Sequence, residues 1–412
     1  MNIVDYTKEH YNVDAHSYNV AETFVGCGGS HFGFKNAKFN SVFANDIWSD
    51  ALETLKLNDK DISPNIVIHR DVSKLDKTFL QSKNINTDNV DVLIGGVVCK
   101  GFSLAGIRNP YDDRNYLYLQ QLRLVKELRP KISIIENVPG MLSMKILKKD
   151  EAIKILCEEL TTICDNHKSK RGQLIALNKQ NDDPEAIKKC KEELEQLSKK
   201  RKEKEKVLQV HKYNVVEDIE RIYKELGYKT YKKILKCSEF DCATNRRRLF
   251  IVAIRNDLKK EWTYPKTITA DNMPTVKNAL DKLDLNGINK KEVDKDNVPM
   301  NHRAKTIEKF KKIKSDVKSK TGYFSRGTNS RLSFNKPAPT LVPGHSSFQI
   351  HPTEHRSITV REGATITSFP TNFKFYGSHT SRCIQIGNAI PVNMAFSLAK
   401  QCKLFLDSCN ET

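Results

Sequence analysis

The strongest constraint on the fold is an alternation in the first 150 residues, where short apolar β-rich runs are separated by helix-like stretches. Tyr18–Phe24, Ser41–Asn45, Asn65–His69, Val90–Gly95 and Ile132–Glu136 read as strands, with helical patterns such as Asp50–Leu57 and Leu117–Leu128 between them. Strands at this spacing cannot pair as simple hairpins. They imply βαβ units, and hence a parallel sheet with helices on both faces.

The alternation breaks twice. Residues from about 160 to 212 are densely charged, with Leu194, Leu197, Val207 and Leu208 among the few that could pack, and Asp182-Asp183-Pro184-Glu185 reads as a helix start. A helical hairpin inserted into the main domain is expected there. Val215–Leu226 as a helix and Leu249–Ile254 as a strand resume the pattern. From roughly 256 to 350 the chain becomes basic and loop-rich, the mark of a second domain. The expected division is a catalytic domain over 1–255, a second domain over 256–350, a connection over 351–383 and a return to the first domain over 384–412, with a helix over Val392–Leu406.

The net charge of +19 points to a polyanionic partner, although a lysine-rich solvated surface would give the same balance. The ten cysteines are scattered, without Cys-x-x-Cys pairs, and read as reduced thiols. His351 and His355 in HPTEH read as part of a loop, so no metal site is expected. No apolar run is long enough for a membrane span, and no signal peptide is read at the N-terminus. A cytoplasmic protein is expected.

Several segments suit a site. Phe24-Val25-Gly26-Cys27-Gly28-Gly29 follows a strand, where glycines let the backbone approach a cofactor closely. Asp46 ends the second strand and Asp71 follows the third; each could accept from a ligand or cap a helix. Asp91–Ser103, DVLIGGVVCKGFS, carries Cys99 beside Lys100 in a glycine-flanked loop, suited to a nucleophile and also compatible with a buried structural thiol. Ile132–Leu142 ends its apolar strand in Glu136-Asn137, costly unless the charge is paired or used. Asn245-Arg246-Arg247-Arg248 precedes the strand LFIVAI and could meet an anionic or carbonyl oxygen, or water.

In order and spacing these segments together resemble the DNA cytosine-5 methyltransferases over nearly the whole chain. Phe24–Gly29 resembles the family's F-x-G-x-G-G loop, and Asp46 and Asp71 its next two acidic positions. Gly95–Ser103 resembles G-G-P-P-C-Q-x-F-S, Glu136-Asn137-Val138 its E-N-V motif, and Thr244–Arg248 its Q-x-R-x-R. RLSFNKPAPTLV, ITVREGATITSFP and GNAIPV resemble later motifs.

The resemblance implies a Rossmann-like α/β methyltransferase domain with a smaller target-recognition domain. It implies S-adenosylmethionine bound by Phe24, Gly26, Cys27, Gly28, Gly29, Asp46, Ile47, Asp71, Val72, Val98, Leu117, Asn388, Ala389 and Ile390. Cys99, Glu136, Arg246 and Arg248 would be catalytic. The substrate would be a cytosine flipped out of duplex DNA. A monomer of bacterial or phage type, accompanied by a restriction endonuclease for the same site, is expected. The chain departs from the family at Val97 and Val98 in place of two prolines, at Lys100, and at Thr244 in place of glutamine. Two alternatives stay open: an RNA cytosine-5 methyltransferase, and a catalytically weakened DNA-binding homologue.

Overall fold

The computed structural model describes residues 17–97, 113–148, 150–180, 183–283, 294–315, 330–341 and 348–410. Val98, Cys99, Lys100 and Asp182 lie outside them, as do parts of the expected second domain. The described chain divides into two compact units, Met1–Val98 with Leu117–Pro139 and Ile222–Thr412, and Cys99–Tyr116 with Gly140–Arg221.

The first unit is built on a sheet of strands β1 (Asn19–Thr23), β2 (Asn40–Asp46), β3 (Val67–His69), β4 (Val92–Gly96), β5 (Ile132–Asn137), β8 (Tyr228–Lys236) and β9 (Arg247–Arg255). Their order is β3-β2-β1-β4-β5-β9-β8. The pairs among β1 to β5 are parallel, and β9 runs antiparallel to both β5 and β8. The strand order reverses between β1 and β4, so a crevice opens beyond their carboxyl ends, where ligands of open α/β sheets bind. β5 is buried at every position, which is why it reads as an unbroken apolar run rather than an alternating one.

Helices α1 (Gly29–Asn36), α2 (Ser49–Asn58), α3 (Lys77–Ser82) and α4 (Leu117–Leu128) connect these strands. α1 packs on the last helix, and Val20, Phe34, Val92, Ile134, Val252, Met394 and Leu398 join in one core. β8 was not expected from the sequence. It is the sheet's edge, and its lysines at 229, 232 and 233 are exposed, a common guard against edge-to-edge pairing.

In the second unit α5 (Glu151–Gln180) and α6 (Pro184–Gln209) form the expected hairpin, which begins at Glu151 rather than near 160. Lys204 pairs with Glu159, His167 Nε2 lies 3.1 Å from Ser198 Oγ, and Lys170 lies 2.5 Å from Glu193, so the helices run antiparallel. Asp183 caps α6 by accepting from the Glu185 amide at 2.9 Å, with Pro184 in the first turn. At the root, β6 (Lys145–Leu147) pairs antiparallel with β7 (Lys212–Asn214), and Leu147, Ile153 and Leu208 pack together. α7 (Val215–Glu225) follows.

Residues from 276 onward build a second core within the first unit. It uses α8 (Val276–Leu280), α10 (Val360–Ile366) and α11 (His379–Asn388), with Leu332, Ala338, Phe348, Phe369, Phe373 and Phe375. α9 (Ala304–Lys311) and α12 (Val392–Asn410) complete the helices. Buried ion pairs stiffen this region: Arg382 Nη1 lies 2.5 Å from Asp296 Oδ1, and Arg356 binds Glu362 through both terminal nitrogens. Among the described residues, no helix is long and apolar enough to cross a membrane, and no cluster of three or more His, Cys, Asp or Glu could hold a metal.

Candidate active site

The glycine loop turns sharply at the end of β1. Phe24, Gly26 and Gly28 have φ of 53, 57 and 95°, left-handed values that glycine adopts without the cost borne by Phe24. A Cβ at Gly28 would stand 2.7 Å from Leu55 Cδ1, while one at Gly26 would meet nothing within 4 Å. The loop is therefore pressed against α2 at one glycine and open at the other.

Asp46 fixes the loop's shape. Its Oδ2 accepts from the Gly26 amide at 2.8 Å and its Oδ1 from the Trp48 amide at 2.9 Å. Burial pushes its carboxyl above the usual range, against the pull of these donors. Ile47 projects into solvent with 63% of its surface exposed, unusual for a large aliphatic residue beside a carboxylate. Asp71 caps the short turn Val72–Lys74 through an oxygen 2.8 Å from the Ser73 amide, the capping role open to it in the sequence. Val72 is buried, and its carbonyl accepts from Arg123 at 3.0 Å. Leu117 opens α4.

The GNAIP turn lies against the loop. A Cβ on Gly29 would be 2.1 Å from the Ile390 carbonyl oxygen and 3.2 Å from Ala389 Cβ. Cys27 is buried and directs its thiol to the Gln385 carbonyl at 3.7 Å, and burial pushes that thiol up to about 12. A thiol held protonated in this way is a packing group rather than a nucleophile. Arg246, which immediately precedes β9, is also buried. Its two terminal nitrogens donate to the carbonyls of Gly387 and Asn388 at 2.6 and 3.1 Å, so its guanidinium braces this turn.

Glu136 stands opposite the loop across Gly96. A Cβ at Gly96 would make ordinary van der Waals contact with both sides, 3.5 Å from Glu136 Oε2 and 3.6 Å from the Phe24 carbonyl oxygen, so Gly96 lies between the carboxylate and the loop. Arg248 Nε lies 2.7 Å from Glu136 Oε1, with both side chains mostly buried. The pair is held by charge, since Oε1 has no aligned hydrogen bond among the described residues. Burial raises the Glu136 carboxyl, and the charges of Arg248 and Arg246 hold that rise in check. Asn137 donates through Nδ2 to the Val97 carbonyl at 3.1 Å, anchoring the strand end two residues before Cys99.

The fold thus gathers the glycine loop, Asp46, Ile47, Asn388, Ala389, Ile390, Glu136 and both arginines around the carboxyl ends of β1 and β4. The profile of C-5 cytosine-specific DNA methylases matches residues 18–163 and 194–404. The chain belongs to that family.

The methylase is 29% identical over 425 residues to the type II methyltransferase M.Eco47II of Escherichia coli, covering 99% of this chain and 83% of that protein. It is 26% identical over 444 residues to M.DdeI of Desulfomicrobium norvegicum, covering 95% and 90%. In fold it resembles a putative DNA modification methyltransferase from an E. coli prophage, with a TM-score of 0.64, 22% identity and coverage of 95% and 100%. The S. pombe Dnmt2 methyltransferase gives 0.57 and 15%, covering 95% and 99%.

Two features of the methylase site were not singled out from the sequence. Asn137 was named only as part of Glu136-Asn137-Val138, and its role as an anchor for the Val97 carbonyl was not read. Behind the glycine loop, Glu22 is fully buried and accepts from Ser30 at 2.7 Å, and His31 bridges Glu22 and Asp59 at 2.9 and 2.8 Å. An acidic residue inside the apolar run Asn19–Thr23 was the available clue.

Proposed function

We propose that the protein methylates carbon 5 of cytosine in a specific duplex DNA sequence, through a covalent adduct of Cys99 with a flipped-out base, as the modification partner of a restriction endonuclease. The observation that carries the reading is the buried Glu136–Arg248 pair facing the glycine loop across Gly96.

The residues suit S-adenosylmethionine, which supplies an electrophilic methyl group. The backbone is open at Gly26, Asp46 offers a carboxylate suited to ribose hydroxyls, and exposed Ile47 offers an apolar surface suited to an adenine ring. Phe24, Cys27, Gly28, Gly29, Asp71, Val72, Val98, Leu117, Asn388, Ala389 and Ile390 would complete that site.

Carbon 5 of cytosine is a weak nucleophile. The Cys99 thiolate adds to carbon 6, and the electron pair of the ring double bond moves towards carbon 5. Glu136 shares its proton with ring N3 as charge builds there, a task suited to a carboxyl raised by burial. Arg248 donates to the base carbonyl oxygen and keeps Glu136 from protonating permanently. Arg246 acts at one remove, by holding the Gly387–Asn388 turn. Once carbon 5 has taken up the methyl group that S-adenosylmethionine would supply, loss of the carbon 5 proton re-forms the ring double bond and expels the Cys99 thiolate. The basic segment 256–350 serves as target-recognition domain, its cations on phosphates and a few polar side chains on base edges. The protein acts as a cytoplasmic monomer.

Incubation with methyl-labelled S-adenosylmethionine and DNA of varied sequence tests the reading. Label on carbon 5 of cytosine, its loss in Cys99→Ser, and a stable complex with 5-fluorocytosine duplex are expected. Label entering transfer RNA instead, or none entering any DNA, would overturn it.

A further inference from the structure

The α5–α6 hairpin is absent from the mechanism above, and its outer face is not that of an evenly solvated helix. On α6, Lys188, Lys191, Lys199, Lys202 and Lys206 are all exposed. At about 100° per residue they fall within about 80° of the helix circumference and extend about 27 Å along its axis. Glu195 is the one acidic residue on that stripe.

The stripe is distinct from the face that closes the hairpin. Cys190, Leu194, Leu197 and Leu208 are buried or half-buried on another side of the helix. Three acids of the hairpin pair with cations off the stripe: Glu159 with Lys204, Glu193 with Lys170 and Glu205 with Arg201. Like charges at i,i+3 (Lys188 and Lys191, Lys199 and Lys202) and at i,i+4 (Lys202 and Lys206) oppose helix formation.

The chemistry of the stripe selects the partner. It has no apolar seam for a coiled-coil partner and no apolar face to enter a lipid surface. A rigid row of ammonium groups suits a regular line of phosphates, and about 27 Å corresponds to about eight base pairs of duplex. Along the sequence the hairpin follows the site strand directly, with β6 beginning at Lys145, nine residues after Glu136 on β5.

We infer that the α6 lysine stripe binds the phosphate backbone of duplex DNA flanking the target cytosine, adding affinity that does not depend on sequence. The inference rests on duplex DNA being the substrate.

The test uses the full chain with all five lysines changed to glutamine, and a second variant with all five changed to arginine. Binding to mixed-sequence duplexes of about 12 and about 40 base pairs is measured against salt, where each phosphate contact contributes about 0.9 to the slope of log affinity on log salt. On the long duplex the glutamine variant should lose about 3 to 4.5 from that slope and at least about 10-fold in affinity near 0.1 M salt. Affinity for the short duplex, kcat on saturating genomic DNA and helical circular dichroism should stay unchanged, and the arginine variant should bind as the unaltered protein does. An unchanged slope on the long duplex, or equal weakening on both lengths, would overturn the inference while leaving the methyltransferase reading intact. Failure of the unaltered protein to bind or methylate any duplex would overturn both.

Discussion

Glu136 and Arg248 face each other from the adjoining antiparallel strands β5 and β9, with Nε 2.7 Å from Oε1 and both groups largely withdrawn from water. Removing one partner of such a pair costs about 3 to 5 kcal/mol when the other stays charged. Here the remaining glutamate can escape by taking up a proton, since burial already raises its carboxyl.

That escape sets the first prediction. Arg248→Met should raise the Glu136 carboxyl further. A raised carboxyl favours the folded state most at low pH, and that contribution is lost as pH rises through the folded pKa. The variant's melting temperature should therefore decline from pH 5 towards neutrality more steeply than that of the unaltered protein, and Glu136→Gln in the same background should flatten the decline. Glu136→Gln alone should lower kcat by about 100- to 10,000-fold, the usual scale for a lost general acid.

Arg246 is expected to behave differently, although it lies only two positions away. Lysine keeps the charge but cannot bridge two carbonyls as a planar guanidinium does. Arg246→Lys should destabilise the protein by about 1 to 3 kcal/mol through carbonyls left without donors. It should raise KM for S-adenosylmethionine more than it lowers kcat, whereas Arg248→Lys should act mainly on kcat. Urea denaturation and steady-state kinetics check both.

The separate fates of the two arginines mark a limit on what the sequence reveals. Two arginines at i and i+2 on one strand would share a face, but Arg246 precedes the first residue of β9, so alternation does not govern it. The buried strands β4 and β5 were legible because strands covered on both faces are apolar throughout. β8 was not, because an edge strand with lysines at 229, 232, 233 and 236 carries little apolar signal. The second core was equally hidden. Leu332, Ala338 and Phe348 belong to segments joined by isolated bridges, which have no period to detect. At the site, Glu136 announced itself by its cost in an apolar strand, while the Asn137 anchor depends on a carbonyl forty residues away.

That anchor gives a third prediction. Asn137→Ala removes one neutral hydrogen bond, worth about 0.5 to 1.5 kcal/mol to stability, and frees the Val97 carbonyl. The Val97–Val98 segment lacks the prolines of the family motif, so a side chain must supply stiffness that a ring would otherwise give. Asn137→Ala should lower kcat by about 10-fold, since small misplacement of a reacting group is expensive. Asn137→Ala combined with Val97→Pro should recover part of the loss if the defect is looseness. Single-turnover methylation on a long duplex measures both.

The buried network behind the glycine loop gives the last prediction, in pH. Burial opposes the His31 imidazolium, yet its hydrogen bonds to Asp59 and Glu22 outweigh that cost and lift it from 6.5 to about 9. A group raised on folding contributes stability that is complete below its unfolded value and lost as pH rises through its folded value. Stability should therefore decline between about pH 6.5 and about pH 9 by this group alone. Asp59 is held far below the usual carboxylate range: burial works to raise it, but His31 and Lys35 prevail. Its contribution is present above about pH 4 and fades on further acidification. His31→Gln keeps a polar group but cannot carry the charge, so it should flatten the alkaline decline while lowering stability at pH 6.5. Because His31 lies in the first turn of α1, two residues after Gly29, affinity for S-adenosylmethionine should weaken over the same alkaline window. Calorimetric melting and cofactor titration across that range measure the two effects, and a decline of equal steepness in His31→Gln would place its origin elsewhere.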